Sequence, residues 1–218
     1  MNSRILGAAL TMFALMAAAH ADAIFQSGQN ISNFVSVVGT SGETGMTING
    51  ATNKTPSVPI RFTSPQSMVG GSGAASIDAP TGTFLSSVTI SAPGFSFDSI
   101  EFNATTLSSS GVLMISVLMT NGQTFTCPLS TCAFSNVNGN NRYTVFTANG
   151  ERILDVTISS IGGSGTGFKE LSQVRFNGSA GGFEPIPEPG TLGLLGTGLI
   201  SLAGITRRKL KLGVLGRS

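Results

Sequence analysis

Two close pairs of acids are the first residues that could do chemistry: Asp98 with Glu101, and Glu151 with Asp155. Two carboxylates about 5–9.5 Å apart across a cleft can hydrolyse a glycoside, one as acid and the other as nucleophile or base. Closeness in sequence does not put two such groups across a cleft. Asp155 also falls in the outward phase of an alternating run, where a solvated surface acid is expected. No residue is therefore assigned to catalysis, and the chain is expected not to be an enzyme.

Imidazole and thiol chemistry are limited by the N-terminus. Arg4 is followed by an almost wholly apolar run from Ile5 to Ala19. Small residues two apart then stand at Ala19-His20-Ala21 and again at Ala21-Asp22-Ala23. A charged start, an apolar core and a small-residue cleavage site describe a secretory signal peptide over residues 1–21, cut after 21 or 23. The competing reading, a buried N-terminal helix, lacks a polar face. His20 is the single histidine and leaves with the signal under either cut. The mature chain then has no Ser-His-Asp triad and no His-containing zinc site. Export exposes Cys127 and Cys132, the two cysteines, to an oxidising compartment. A disulfide is the expected state, with a free thiol pair as the alternative. Closing so small a ring restricts the unfolded chain by about 2 kcal/mol. Two thiolates alone make a poor metal site, and neither a metal nor another cofactor is expected.

The elements that would position these groups read as strands. Residues 24–183 are about one domain long, rich in Gly, Ser, Thr, Asn and Val, and poor in charge. Leu154, Val156 and Ile158 alternate with Asp155, Thr157 and Ser159; Val88 and Ile90 alternate with Thr89 and Ser91; Val174 and Phe176 alternate with Gln173 and Arg175. Val112 to Met119 is apolar in both phases, which predicts a central strand covered on both faces. Asn121-Gly122 follows it and predicts a hairpin into Thr124–Cys127. Phe95 and Phe97 are out of phase with Ile100 and Phe102, which calls for a β-bulge or burial on both sides. The fold expected is all-β, an antiparallel, jelly-roll-like β-sandwich.

Binding is harder to read. From Ile24 to Glu184 there are eight acids and six bases, a net of −2, so the +2 of the whole chain comes from its ends. No basic patch for nucleic acid is expected. The glycine-rich stretches at Gly70–Gly73 and Gly162–Gly167 lack the Gly-Lys-Ser/Thr of a phosphate loop and read as turns. A carbohydrate-binding module is an open alternative, although flat aromatic platforms are scarce, with no Trp and one Tyr, Tyr143. The Asn-rich stretch from Ser135 to Asn141 lacks the carboxylates that calcium prefers.

The C-terminus carries the most specific pattern. Pro187-Glu188-Pro189 precedes Gly190, an apolar run from about Thr191 to Ile205, and the cations Arg207, Arg208 and Lys209. Fifteen helical residues span only about 22 Å, against roughly 30 Å of hydrocarbon. Gly193, Gly196, Gly198 and Gly204 weaken the helix further. This predicts a marginal, transient transmembrane helix over about 191–205, with the cations as a cytoplasmic stop and the β domain outside. The two prolines keep the strip before it extended.

The ordered combination of signal peptide, Pro-Glu-Pro, apolar run and basic cluster resembles the PEP-CTERM class of Gram-negative bacterial exported proteins. "NGATNKTPSVPIRFTS", "FDSIEFN", "GNNRYTVFTANGERILDVTISS" and "ELSQVRFNG" also look like a recurrent β-sandwich region of such proteins. The resemblance makes residues 184–218 a sorting signal and implies a partner, the membrane protease-transpeptidase exosortase, which reads the Pro-Glu-Pro region and cuts near it. It further implies transient inner-membrane anchoring, release or transfer to the cell surface or matrix, and association with exopolysaccharide and biofilm.

Overall fold

The structure, a computed structural model, describes residues 23–28, 31–72, 75–106, 112–132, 141–148, 150–161, 167–179 and 181–186. The expected signal peptide, the Asn-rich stretch before Asn141 and the chain from Pro187 onward lie outside these residues. The chain divides into two compact units, Met1–Glu184 and Pro185–Ser218. Among the described residues there are strands and no helix. The β-branched, alternating composition expected to favour a pleated surface does so.

One arm of the sheet holds β3 (Thr44–Thr52), β4 (Pro59–Gly71), β6 (Ser87–Ser91), β12 (Ile153–Ile161), β9 (Val112–Met119) and β10 (Thr124–Thr126), paired in that order. The other holds β1 (Ala23–Ser27), β11 (Asn141–Thr147), β8 (Ser99–Thr106) and β13 (Phe168–Asn177). Two short strands join the arms. β5 (Ser76–Asp78) lies between the first half of β13 and the end of β4. β2 (Phe34–Val38) lies between the second half of β13 and the end of β3. Since β3 and β4 also pair, the ladder closes through β13, β2, β3, β4 and β5. The ladders among these strands are antiparallel. The expected all-β, antiparallel character is present. The pairing forms one continuous sheet and does not by itself separate the two sheets of a jelly-roll-like sandwich.

A single apolar cluster fills the inside, with Phe62, Phe97, Phe102, Phe168 and Phe176 wholly buried. The outward face of the β6–β12 arm is hydroxylic. Ser116, Thr157, Thr89, Thr63 and Thr47 stand opposite one another across five strands. Thr89 and Thr157 share a hydrogen bond of 2.8 Å.

Two expectations are corrected in detail, and a third, burial on both sides beyond Asp98, is met by β8. β9 is flanked by β10 and β12 but is not covered on both faces: Leu113, Ile115 and Val117 are buried while Met114 is 37% exposed. On the outer face Met114 lies opposite Ser159, and Leu118 opposite Asp155 and Thr124. On β12 the inward positions go to Ile153, Val156 and Ile158, and Leu154 is only half-buried. A register shift between Ile153 and Asp155 uses up the extra residue. The phase break around Asp98 is a strand break. β7 (Phe95–Phe97) pairs with β12, and β8 pairs with β11 and β13 and is buried on both faces. The Asn121-Gly122 hairpin forms as expected, with Gly122 at φ 82° and its N–H donating to the Met119 carbonyl.

Candidate functional site

Asp98 is the residue at which the chain leaves β7 and enters β8. Its backbone is held from two sides. Its N–H donates to the Gly182 carbonyl at 3.3 Å, and its own carbonyl accepts from the Thr147 N–H at 2.9 Å and the Thr147 hydroxyl at 3.1 Å. The side chain is therefore presented at a fixed place beside the end of β11 and the end of β13. There it faces a cleft of about 300 Å³ lined by Ile31, Ser32, Asn33, Asp98, Ser99, Phe146, Thr147, Asn177 and Ser179.

The carboxylate is oriented by its neighbours. Ser99 Oγ donates to Oδ1 at 3.0 Å, and Asn177 Nδ2 donates to Oδ2 at 2.9 Å. Asn177 Oδ1 accepts from the Ser179 N–H at 3.0 Å, and Asn33 Nδ2 reaches Ser179 Oγ at 3.4 Å. The result is a chain of amides and hydroxyls around one carboxylate, with Phe146 and Ile31 as the apolar part.

The acid pairs singled out from sequence are not brought together at this cleft. Asp98 lines it; Glu101 does not, being buried in an ion pair with Arg175 at 3.2 Å. Glu151 accepts from the Thr120 hydroxyl at 3.4 Å, and Asp155 lies opposite Ser91 and Leu118 on the β12 face. Burial raises the Asp155 carboxyl above the ordinary carboxylate value. The structure also forms an acid pair that sequence spacing could not show. Asp78 on β5 faces Glu170 on β13, and Ser76 Oγ lies 3.0 Å from the first and 3.3 Å from the second. Burial raises Asp78, the Ser76 hydrogen bond opposes that, and Glu170 adds to it. Neither residue lines the cleft. No group of three or more metal-ligating side chains occurs among the described residues. Tyr143 is 4% exposed and packs on Phe102 with ring centroids 6.0 Å apart; burial pushes its hydroxyl up to about 12.

Cys127 and Cys132 form the disulfide, with Cα atoms 6.2 Å apart, inside the range a bridge requires. The turn between them closes through Pro128, whose carbonyl accepts from Thr131 and Cys132. Both ends are tied to β9: Cys127 N–H donates to the Ile115 carbonyl, and the Cys132 carbonyl accepts from Leu113.

The last part of the domain is clamped. Phe183 packs on Phe176 and Phe97, with centroids 5.0 and 6.2 Å away. Arg152, just before β12, donates to the Ser96 carbonyl and the Gly182 carbonyl at 3.0 Å each, to the Gly181 carbonyl at 2.8 Å and to Ser96 Oγ at 3.2 Å. The Glu184 carboxylate lies 3.6 Å from it. A side chain at Gly182 would run into the Asn177 carbonyl, so this segment lies tight against β13. Strand β14 (Phe183–Pro185) ends two residues before Pro187. Sequence reasoning missed Arg152: it looks like any other surface cation. Phe183 was read from sequence only as the end of the domain, not as a packing residue.

A family model for the PEP-CTERM protein-sorting motif matches residues 185–209. The chain carries a PEP-CTERM sorting motif. The match begins at the last residue of β14 and contains Pro187, Glu188, Pro189, Arg207, Arg208 and Lys209, which lie outside the described residues. A PEP-CTERM motif is consistent with an exosortase substrate, an exported protein transiently anchored in the membrane. No helix among the described residues is long and apolar enough to cross a membrane; the expected span at 191–205 is not among them. No curated protein and no solved structure matches the chain.

Proposed function

We propose that this PEP-CTERM protein is a non-enzymatic component of the cell surface or extracellular matrix, delivered there by exosortase and associated with exopolysaccharide. In this reading Pro187-Glu188-Pro189 is the strip that is read, residues 191–205 are the temporary hold, and Arg207, Arg208 and Lys209 are the cytoplasmic stop. The observation that carries it is the sorting motif itself, at the end of a domain clamped up to Glu184. A jelly-roll-like sandwich is the natural reading of a closed sheet whose two arms flank one apolar cluster. Cleavage after Ala21 would leave all of β1 in the mature protein, while cleavage after Ala23 would remove its first residue, which pairs with Thr147.

The test is an intact-mass measurement of the extracellular protein, expressed with and without Pro187–Pro189 beside its exosortase. A mature form ending shortly after residue 186 supports the reading. A form that keeps residues 190–218 in the presence of the enzyme defeats it.

Carbohydrate binding is the second reading, and the Asp98 cleft favours it over hydrolysis. Asp98 is the one carboxylate among the described residues that line the cleft, so a two-carboxylate mechanism finds no second group there.

A further inference from the structure

We infer that the Asp98 cleft binds one unit of a neutral polyhydroxylated ligand, a sugar ring or a comparable polyol. The inference rests on the carbohydrate-binding reading and is independent of tail processing.

The side chains that line the cleft favour hydroxyl groups. A carboxylate has about four acceptor positions. Ser99 and Asn177 occupy one on each oxygen of Asp98 and fix its plane, so each oxygen keeps a lone pair for a ligand hydroxyl. Asn33 engages one amide N–H at 3.4 Å and keeps a second donor at the rim. Neighbouring hydroxyls of a sugar can donate to the first and accept from the second. Phe146 and Ile31 offer the C–H face of a ring an apolar wall. A volume of about 300 Å³ is at the small end for ligand sites, enough for one such unit.

The same residues disfavour the other classes. No Lys or Arg is among the described residues that line the cleft, and the nearby Lys54 is engaged on the Gly178 carbonyl. An anion would therefore meet Asp98 without a compensating cation. A calcium ion takes six to eight oxygens, usually from more than one carboxylate. An apolar ligand would strip water from Asp98, Asn33, Asn177 and Ser179 in exchange for two apolar contacts.

The test uses the purified full-length chain in a detergent without a sugar head group. Saturation-transfer NMR and calorimetry are run with glucose, galactose, mannose, glucuronate and inorganic phosphate. At least one neutral hexose should bind with Kd on the order of 1 mM, as expected for a dozen ligand atoms at a shallow site. Glucuronate and phosphate should bind at least about tenfold more weakly. Asp98→Asn keeps the shape and the Asn177 contact and should weaken hexose binding about tenfold or more, the worth of a charge-assisted hydrogen bond. The exposed Asn33→Ala should weaken it less and tests the site even if Asp98→Asn fails to fold. Asp155→Asn, on another strand, should leave it unchanged. No hexose binding up to ~50 mM overturns the inference, as does hexose binding that neither Asn33→Ala nor a folded Asp98→Asn alters, or phosphate binding as tightly as hexose. Correct tail processing without hexose binding would sink this inference alone; hexose binding in a chain that is never processed would sink the sorting reading alone.

Discussion

Arg175 and Arg152 are both largely buried, with side-chain exposures of 17% and 13%, and both lie within 4 Å of a glutamate, yet they do different jobs. Arg175 sits on β13 against Glu101, which is 1% exposed, and its guanidinium lies 4.2 Å over the Phe34 ring. Glu101 Oε2 and Arg175 Nε have no hydrogen-bond partner among the described residues. What holds this pair is one charge-assisted hydrogen bond, donated by Arg175 Nη1 to Glu101 Oε1 at 3.2 Å, on a carboxylate shut away from water. Arg152 meets a glutamate that is 57% exposed, at a longer 3.6 Å, and spends its donors on the carbonyls of residues 96, 181 and 182. Its work is to satisfy backbone at the point where the folded domain gives way to the sorting tail. One arginine neutralises; the other pins.

The largest expected effect breaks the first of these. Arg175→Met keeps the aliphatic stem but leaves Glu101 as an uncompensated buried charge, and should cost about 3–5 kcal/mol in urea unfolding. Arg175→Met combined with Glu101→Leu should recover most or all of it, because the desolvation of both ions goes with them. If the double variant is as unstable as the single one, Arg175 is acting through packing on Phe34 and the account of a charge pair is wrong.

Arg152→Ala should cost less, about 2 kcal/mol, since the freed carbonyls lie near an edge and some are rehydrated. The loss should be local: hydrogen exchange and proteolysis should rise at residues 181–184 before the rest of the domain changes. Lysine separates the two sites. Arg175→Lys keeps the charge facing Glu101 and should retain more than half of the stability lost in Arg175→Met. Arg152→Lys loses the planar fork that reaches several carbonyls at once and should behave much like Arg152→Ala. Equal rescue at both sites would remove the distinction.

Sequence periodicity carried the all-β, antiparallel character, because the alternation of Val88, Ile90, Val156 and Ile158 is a direct imprint of a pleated strand with one face inside. It misplaced Leu154, because the bulge that moves it depends on how β12 meets β9 rather than on β12 alone. The same holds on β13, where Gln173 at φ 54° accompanies a register shift that turns both Leu171 and Val174 inward. The tail was legible because its signal is a linear order of residue types. The cleft was not, since Asn33, Asp98, Thr147 and Asn177 come from four separate parts of the chain. Asp98 stood out only as half of an acid pair, and its nominal partner Glu101 turned out to be committed to Arg175.

Asp155 extends the comparison to a half-buried carboxylate whose raised pKa comes from burial. Burial raises its pKa in the folded state, so the folded protein binds the proton more tightly than the unfolded chain does. The acid therefore subtracts from stability. The cost is fully present above the folded pKa and disappears as the pH falls below the unfolded value. Asp155→Asn should raise the unfolding free energy slightly at pH 7, by about 0.5 kcal/mol or less once solvent screening of a half-exposed group is allowed for. The gain should fade as the pH is lowered through the carboxylate range, and a gain that persists at low pH would show that the side chain acts through something other than its charge.

The smallest expected effect is at Glu184. Its carboxylate is mostly in water, and an exposed ion pair contributes about 0–1 kcal/mol, less when salt is added. Glu184→Gln should therefore change the unfolding free energy by no more than about 0.5 kcal/mol. The Ser96 hydroxyl donates to the Glu184 backbone carbonyl at 3.3 Å, and that bond survives the substitution, so the segment should stay docked. If Glu184→Gln instead costs as much as Arg152→Ala, then Arg152 is held by charge after all. The two arginines would then differ in depth rather than in kind, and the pin at the head of the sorting tail would loosen with ionic strength.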